Sequence, residues 1–459
     1  MKSILFCRTH LSNLLSGGIA KTLPHVIPLS YKWVGLVSVI WTLGMGGMEG
    51  TTASEVSSGN WDTGRVRARD LGIVIGQYPP GRWNAITDVA GVKVGHVTLI
   101  KGDGPLRPGY GPVRTGVTVI IPRDDVWRRK VPAGAFVLNG TGEMTGLAWV
   151  KESGFLEYPI ALTNTLNVPR VANGVISWMI QRYPEIGITD DTLTPVVAEC
   201  DDSRLNDSQG RHVSEAHVIQ ALNQARSGPV AEGAVGAGTG MIAYQFKGGI
   251  GTASRRLPPH LGGYTLGVLV NANHGRRHEL VVAGVPVGKL WEQDGQREKR
   301  HPALSGGAQH SSHPGRIIRE NQEAGSIIII LATDAPLDSR QLTRLAKRAA
   351  LGLARTGATS HHGSGDFILA FSTGNTIPHY PKATTYTMTL LADTHFTPLL
   401  SAAVEATEEA ILNALLAARS MVGRDGRRVE ALSIPKLRRI LDTYRGPLFL
   451  PGFNSSPRE

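Results

Sequence analysis

The run Ser326-Ile-Ile-Ile-Ile-Leu-Ala restricts this chain more than any other stretch. Consecutive β-branched side chains are crowded on a helix and fit the pleated surface of a strand. A strand that is apolar at both parities needs cover on both faces, so its sheet must lie between other layers. Similar runs predict strands at Val117 to Ile121, Ala135 to Leu138, Ile160 to Thr163, Tyr264 to Val270 and Phe367 to Phe371. Helical patterns alternate with them. They span Pro169 to Tyr183, with Val171, Val175, Met179 and Ile180 on the core face, then Ser214 to Arg226 and Ser339 to Leu353. A last helix is expected from Pro398 to Val422, stopped by Gly423. Sheets covered by helices predict a layered α/β architecture.

The residue before Ser326 is Gly325. A serine at the start of a buried strand can attack the carbonyl that precedes it, and glycine there leaves the carbonyl unhindered. Hydrolysis of the resulting ester would leave Ser326 as the first residue of a new chain. Its α-amine, with an ordinary pKa of roughly 8, would then be a base beside its own nucleophile.

Composition allows such an enzyme and argues against other classes. The chain has 459 residues, 41% of them hydrophobic, enough for a large core. Its net charge of +11 is scattered apart from Lys2, Arg8, Lys21 and Lys32 in an acid-free N-terminal segment, so no basic stripe points to nucleic acid. Cys7 and Cys200 cannot make a disulfide framework, and no CxxC or HExxH spacing calls for a metal. The glycines of Gly236-Ala-Gly-Thr-Gly240 do not match a dinucleotide or phosphate loop; they suit close passage of the backbone beside a strand or the substrate.

Residues 1–64 read as an N-terminal extension. Trp33 to Met48 is uncharged and largely apolar, but its 16 residues fall short of the roughly 20 a spanning helix needs. A disordered tail, an organelle-targeting segment or anchor, and a start assigned too early all remain open, with the cytoplasm as the default compartment. Residues 65–459 form the expected catalytic domain. Within it, residues 292–322 are rich in Gly, Ser, His and Arg and read as a flexible linker leading to Ser326. His301, His310 and His313 in that linker read as solvated residues.

Several motifs occur in a fixed order: Arg67-Ala-Arg-Asp-Leu-Gly-Ile, Asn84 to His96, Leu138-Asn-Gly-Thr-Gly-Glu-Met-Thr-Gly146, Gly236 to Gly240, Phe246-Lys-Gly-Gly-Ile-Gly251, Asn273-His-Gly275, Ser326 to Leu337 and Ser364-Gly-Asp366. In that order they resemble the DmpA family of self-processing serine aminopeptidases and amidases, which includes the β-peptidyl aminopeptidases. The resemblance covers about residues 65 to 450. It implies a four-layer αββα sandwich, similar in layering to N-terminal-nucleophile hydrolases but differently connected. It also implies an enzyme that releases N-terminal residues from short peptides, amides or esters, without a cofactor, as an oligomer of processed chain pairs.

The resemblance assigns roles residue by residue. Ser326 is the nucleophile, and cleavage falls between Gly325 and Ser326. Ser364 and Asp366, two apart in extended backbone, share one face and can hold the freed amine. Asn273 matches the family's oxyanion donor, with Asn271, on the same face of its strand, as the fallback. Glu199 matches the glutamate that pairs with the substrate's free amine. Asp201 is the departure: the family pattern Glu-Thr-Tyr-Asp-Gly has tyrosine there, and an ionised aspartate cannot donate to a carbonyl, although its charge can add to the attraction for an ammonium. His361 and His362 read as packing or supporting residues beside the Ser364 turn. The rival readings are an uncleaved binding protein of the same fold and an acyltransferase resembling ornithine acetyltransferase, whose nucleophile is threonine.

Overall fold

The structure is a computed structural model and describes residues 65–300 and 325–445. In chain order the first strands are β1 (Lys93–Lys101), β2 (Val113–Ile121), β3 (Arg129–Gly140), β4 (Phe155–Leu156), β5 (Ile160–Thr163) and β6 (Val196–Glu199). There follow β7 (Ile242–Ala243), β8 (Phe246–Lys247), β9 (Gly249–Arg256), β10 (Thr265–Asn273), β11 (Gly325–Thr333) and β12 (Ser364–Ser372). Short strands β13 (Ile377–Pro378), β14 (Met421–Val422) and β15 (Arg428–Val429) complete the set. The helices are α1 (Leu147–Ser153), α2 (Val168–Arg182), α3 (Glu215–Asn223), α4 (Val287–Arg300), α5 (Ser339–Arg355), α6 (Thr397–Ala417) and α7 (Ile434–Arg445).

Two sheets carry the fold. One has the order β1-β2-β5-β6; the other runs β13-β3-β12-β11-β10-β9, with β4 also on β3. Every residue of β2, β10 and β12 is buried, and β11 is buried after Gly325, as runs apolar at both parities require. Ile328, Ile330 and Ala332 of β11 pack toward the β1-β2-β5-β6 sheet, in one core with Val117, Val119, Leu162 and Val197. Their neighbours Ile327, Ile329 and Leu331 pack with α5 and α6 residues such as Leu342, Leu345 and Ala410. With α2 and α3 covering the outer face of the first sheet, the layers are helix, sheet, sheet, helix. This is the expected αββα sandwich.

The central connection is a parallel unit: β11 leads through α5 into β12. Asp338 starts α5, its carboxylate accepting the Gln341 N–H at 2.7 Å. Helix α6 lies between β9 and β10 on one side and α5 on the other, which is why residues around its whole circumference are buried. Its acids are paired there. Arg255 of β9, wholly buried, meets Glu405 at 3.1 Å and Glu409 at 2.8 Å, and Arg69 closes on Glu409 at 2.9 Å.

Three expectations are corrected. Helix α6 ends at Ala417 rather than Val422, because Ala418 is extended and Met421–Val422 pairs with Arg428–Val429. Ile180 is exposed; the buried face of α2 is Val171, Gly174, Val175, Trp178 and Met179. The segment from residue 292 to residue 300 is helical rather than irregular, continuing α4, which Asp294 ties to Arg439 of α7 at 3.1 Å. The rest of that stretch, with His301, His310 and His313, lies outside the described residues, as do residues 1–64 and Cys7.

Candidate active site

Strand register gathers the candidate residues at one end of the sandwich. Strands β10 and β11 are antiparallel, so the last residue of β10, Asn273, pairs with Ser326. Strands β11 and β12 are parallel, so Ser364 pairs with Gly325, Gly365 with Ser326 and Asp366 with Ile327. Residues far apart in sequence are thus brought within a strand spacing of one another. Gly365 is required here: a Cβ would stand 2.4 Å from the Thr141 carbonyl, where the loop after β3 crosses above Ser326's neighbour.

Alternation decides which face each side chain takes. Ser326 has the parity of Ile328 and Ile330, so it faces the space between the sheets. Its hydroxyl is buried and, among the described residues, bonds to no nitrogen or oxygen; the Cys200 thiol is the one polar group beside it that acts on it. A hydroxyl so placed costs free energy in a folded protein and marks a group kept for another purpose. Ser364 and Asp366 share the parity of Ile368 and Ala370 and lie on the opposite, helix-covered face. The Ser364 hydroxyl donates to Asp366 Oδ1 at 2.7 Å. Ser364 Oγ lies 3.5 Å from where a Cβ on Gly325 would be. The pair therefore stands beside the backbone of the Gly325–Ser326 junction, on the side away from the serine hydroxyl. Burial raises the Asp366 pKa above the ordinary carboxylate value; bonds from Ser364, Ser360 and the Ile327 amide oppose the shift.

Asn273 is held at both ends of its amide. Its Oδ1 accepts the Ile242 N–H at 2.8 Å, and its Nδ2 donates to the Asp201 carbonyl at 2.9 Å. That second bond joins the two sheets at the level of Ser326. Asn271, the fallback, is completely buried with neither side-chain atom partnered among the described residues, and it pairs with Ile328, one same-face step deeper than Ser326.

Glu199 ends β6 in the facing sheet. It accepts the Glu143 N–H at 3.0 Å and a short bond from the Thr165 hydroxyl. Burial raises its pKa, partly offset by these two donors, and the nearby charges of Asp201 and Glu143 raise it further. A buried carboxylate with no cation of its own is suited to receive an ammonium. Cys200 follows it, completely buried; burial holds its thiol well above the usual range, and an interaction with Ser326 opposes that.

The Asp201 carboxylate is exposed and accepts the Ser203 N–H and hydroxyl, each at 2.8 Å. Its charge reaches Glu199, but its hydrogen bonds close a local turn. What Asp201 brings to Asn273 is its backbone carbonyl.

Other sequence expectations fall outside this set. His361 pairs with Glu279 at 2.9 Å, and the carbonyls of His361 and His362 receive Asn139 Nδ2 and Thr141 Oγ1, which anchors the loop above Gly365. The Gly236 to Gly240 stretch does pass close to its neighbours: a Cβ on Gly238 would be 2.4 Å from the Ile250 nitrogen. Among the described residues, Asp190, Asp191 and His379 lie close enough together for a metal ion. Asp190 is already engaged by Trp127 Nε1, His379 Nε2 and the Asp191 amide at 2.7 to 2.9 Å, and none of the three belongs to the Ser326 set. Sequence reading missed Thr165, Glu143 and the Cys200 thiol beside Ser326. The strand end at Thr163 and the tripeptide Glu199-Cys200-Asp201 were the available signals.

The profile of Peptidase family S58 matches residues 84–429. The beta-peptidyl aminopeptidase BapA of Sphingosinicella xenopeptidilytica is 46% identical over 376 residues, 82% of this chain and 90% of that protein. The crystal structure of the PH0078 protein from Pyrococcus horikoshii OT3 is 48% identical and superposes with a TM-score of 0.74 over 83% of this chain and 99% of that one. The L-aminopeptidase D-Ala-esterase/amidase of Ochrobactrum anthropi, described as a variant of the Ntn hydrolase fold, is 40% identical with a TM-score of 0.71, covering 83% of this chain and 99% of its own. The buried serine at the head of β11 thus belongs to a chain that resembles serine aminopeptidases over most of its length, and the protein is a member of peptidase family S58, the DmpA family.

Proposed function

We propose that this protein cuts itself between Gly325 and Ser326 and then works as an aminopeptidase with Ser326 as its N-terminal nucleophile. In the first reaction Ser326 Oγ bonds to the Gly325 carbonyl carbon while the carbon–nitrogen bond breaks and the leaving nitrogen gains a proton. That step frees the α-amine, and water then hydrolyses the ester, leaving the Gly325 carboxylate on one chain and restoring the Ser326 hydroxyl on the other. That amine sits in the backbone plane, next to Ser364 and Asp366, which hold it from the helix-covered face while the serine hydroxyl points into the space between the sheets.

In each turnover Ser326 Oγ attacks the substrate carbonyl, its own amine takes the proton and passes it to the leaving amine or alcohol as the scissile bond breaks, and an acyl-enzyme remains. Asn273 Nδ2 leaves the Asp201 carbonyl for the developing oxyanion, Glu199 binds the substrate's free ammonium, and water releases the acyl group. The relative's name brings β-peptides into the substrate class, together with short α-peptides, amides and esters that carry a free amine. Processed pairs assemble into an oligomer.

The single observation that carries this reading is the buried Ser326 hydroxyl, bonded to no nitrogen or oxygen among the described residues, with Asn273 opposite it and Ser364 opposite Gly325. Intact mass spectrometry tests it. The wild type should give two chains of about 35 and 14 kDa by residue share, the smaller starting at Ser326, and Ser326→Ala should give one. A wild type that stays whole and releases no p-nitroaniline from α- or β-aminoacyl anilides would refute the reading.

A further inference from the structure

Lys247 is wholly enclosed, and its ammonium bonds to backbone carbonyls rather than to a carboxylate among the described residues. Its ammonium donates to the carbonyls of Gly238 at 3.1 Å, Met241 at 2.7 Å and Gly248 at 2.9 Å. Three carbonyl acceptors need three N–H donors. Only the ammonium has three; a neutral amine would turn its lone pair on a carbonyl oxygen. A buried cation spent on three backbone oxygens is costly unless its field is used.

One of those carbonyls leads into the candidate site. The Met241 C=O and the Ile242 N–H are the two ends of a single peptide unit, and the Ile242 N–H donates to Asn273 Oδ1 at 2.8 Å. A positive charge on the peptide oxygen favours the charge-separated resonance form, which makes the N–H a stronger donor. That stronger donor draws electron density onto Asn273 Oδ1. The same resonance operates in the asparagine amide, so Nδ2, at its far end, becomes the better donor in turn.

We propose that Lys247 is a positioning residue that polarises Asn273 through the Met241–Ile242 peptide, strengthening the donor that meets the oxyanion. The proposal rests on Asn273 being that donor. Its effect belongs to the transition state, since the carbonyl oxygen of a bound substrate carries far less charge than the oxyanion. Burial lowers the Lys247 pKa to about 7, with the Asp202 carboxylate opposing the shift, so the relay is switched off as pH rises above neutrality.

Steady-state kinetics on an aminoacyl p-nitroanilide with Asn273→Ala, Lys247→Met and the double variant test this. Asn273→Ala should lower kcat by about 100-fold or more, and its failure to do so would overturn the oxyanion reading itself. Lys247→Met should lower kcat by about 3- to 10-fold with KM within about twofold, and should add nothing in the Asn273→Ala background. An unchanged kcat in Lys247→Met, or a full additional loss in the double variant, overturns the relay while leaving the oxyanion reading intact. Thermal melting and the two-chain pattern report folding. If Lys247→Met does not fold, Lys247→Gln, which keeps N–H donors without the charge, takes its place with the same expected loss. If neither folds, the ratio of wild-type kcat to Asn273→Ala kcat decides, because the Ser326 amine titrates in both: a ratio that falls above about pH 7 supports the relay, and a ratio constant to about pH 9 overturns it.

Discussion

Replacing Glu199 by glutamine separates recognition of the substrate amine from the chemistry at Ser326. The amide keeps the shape of the carboxylate and can still accept the Glu143 N–H, while the Thr165 hydroxyl can rotate to accept from the new NH2. The fold should therefore survive. What is lost is a charge at a buried position, and a hydrogen bond to a charged group contributes roughly 1.5–3 kcal/mol. Converted at 1.4 kcal/mol per factor of ten, that is a fall of about 10- to 150-fold in kcat/KM for substrates with a free amine. Because the ammonium is bound in ground and transition states alike, the loss should appear mainly as a raised KM. The pH dependence gives a second readout. Burial raises the Glu199 pKa, and the protonated acid cannot pair with an ammonium, so wild-type kcat/KM should fall as pH drops through that raised value. Glutamine removes that contribution and leaves the limb set by the Ser326 amine. The assay compares aminoacyl p-nitroanilides with analogues lacking the amine, in both proteins. If Glu199→Gln still prefers the free amine as strongly as the wild type, the recognition role is wrong.

Three further outcomes follow from named contacts. Ser326→Ala removes a hydroxyl that bonds to no nitrogen or oxygen among the described residues, so its thermal unfolding should lie within about 0.5 kcal/mol of the unprocessed wild-type chain; a larger loss would mean the hydroxyl is structurally bonded. Asp366→Asn keeps an acceptor for Ser364 but removes the charge beside the amine; kcat should fall by at least about tenfold, and the acid limb of its pH profile should move to lower pH because the carboxylate favours the protonated amine. Arg255→Met leaves the Glu405 and Glu409 carboxylates without their shared partner in a fully buried site and should destabilise by roughly 3–5 kcal/mol in denaturant unfolding, an effect that Arg69 alone cannot offset.

Much of the framework was legible because it depends on local pattern. Runs apolar at both parities located six strands of the two sheets within a few residues, and the amphipathic spacing of Ser339 to Leu353 located α5. Strands β1, β6 and β9 escaped, since His96, the glycines of β9 and the charged Glu199 that ends β6 break the apolar signal. The end of α6 escaped for a different reason: nothing in Ala417 to Val422 forbids helix, and only the pairing with Arg428–Val429 draws those residues out of it.

The site divides in the same way. The dipeptide Gly325-Ser326 and the spacing of Ser364 and Asp366 are properties of the sequence, because adjacency and a two-residue period fix them without reference to the rest of the chain. Tertiary structure alone decided that Ser364 and Asp366 lie on the opposite face from the serine hydroxyl and reach only the backbone at the cleavage point. It also decided that the Asp201 carbonyl meets Asn273, and that Lys247 touches the peptide bonded to Asn273. The physical reason is that these relations depend on register between strands and on which side of a shared sheet each segment presents, and a one-residue slip in pairing would reverse every one of them.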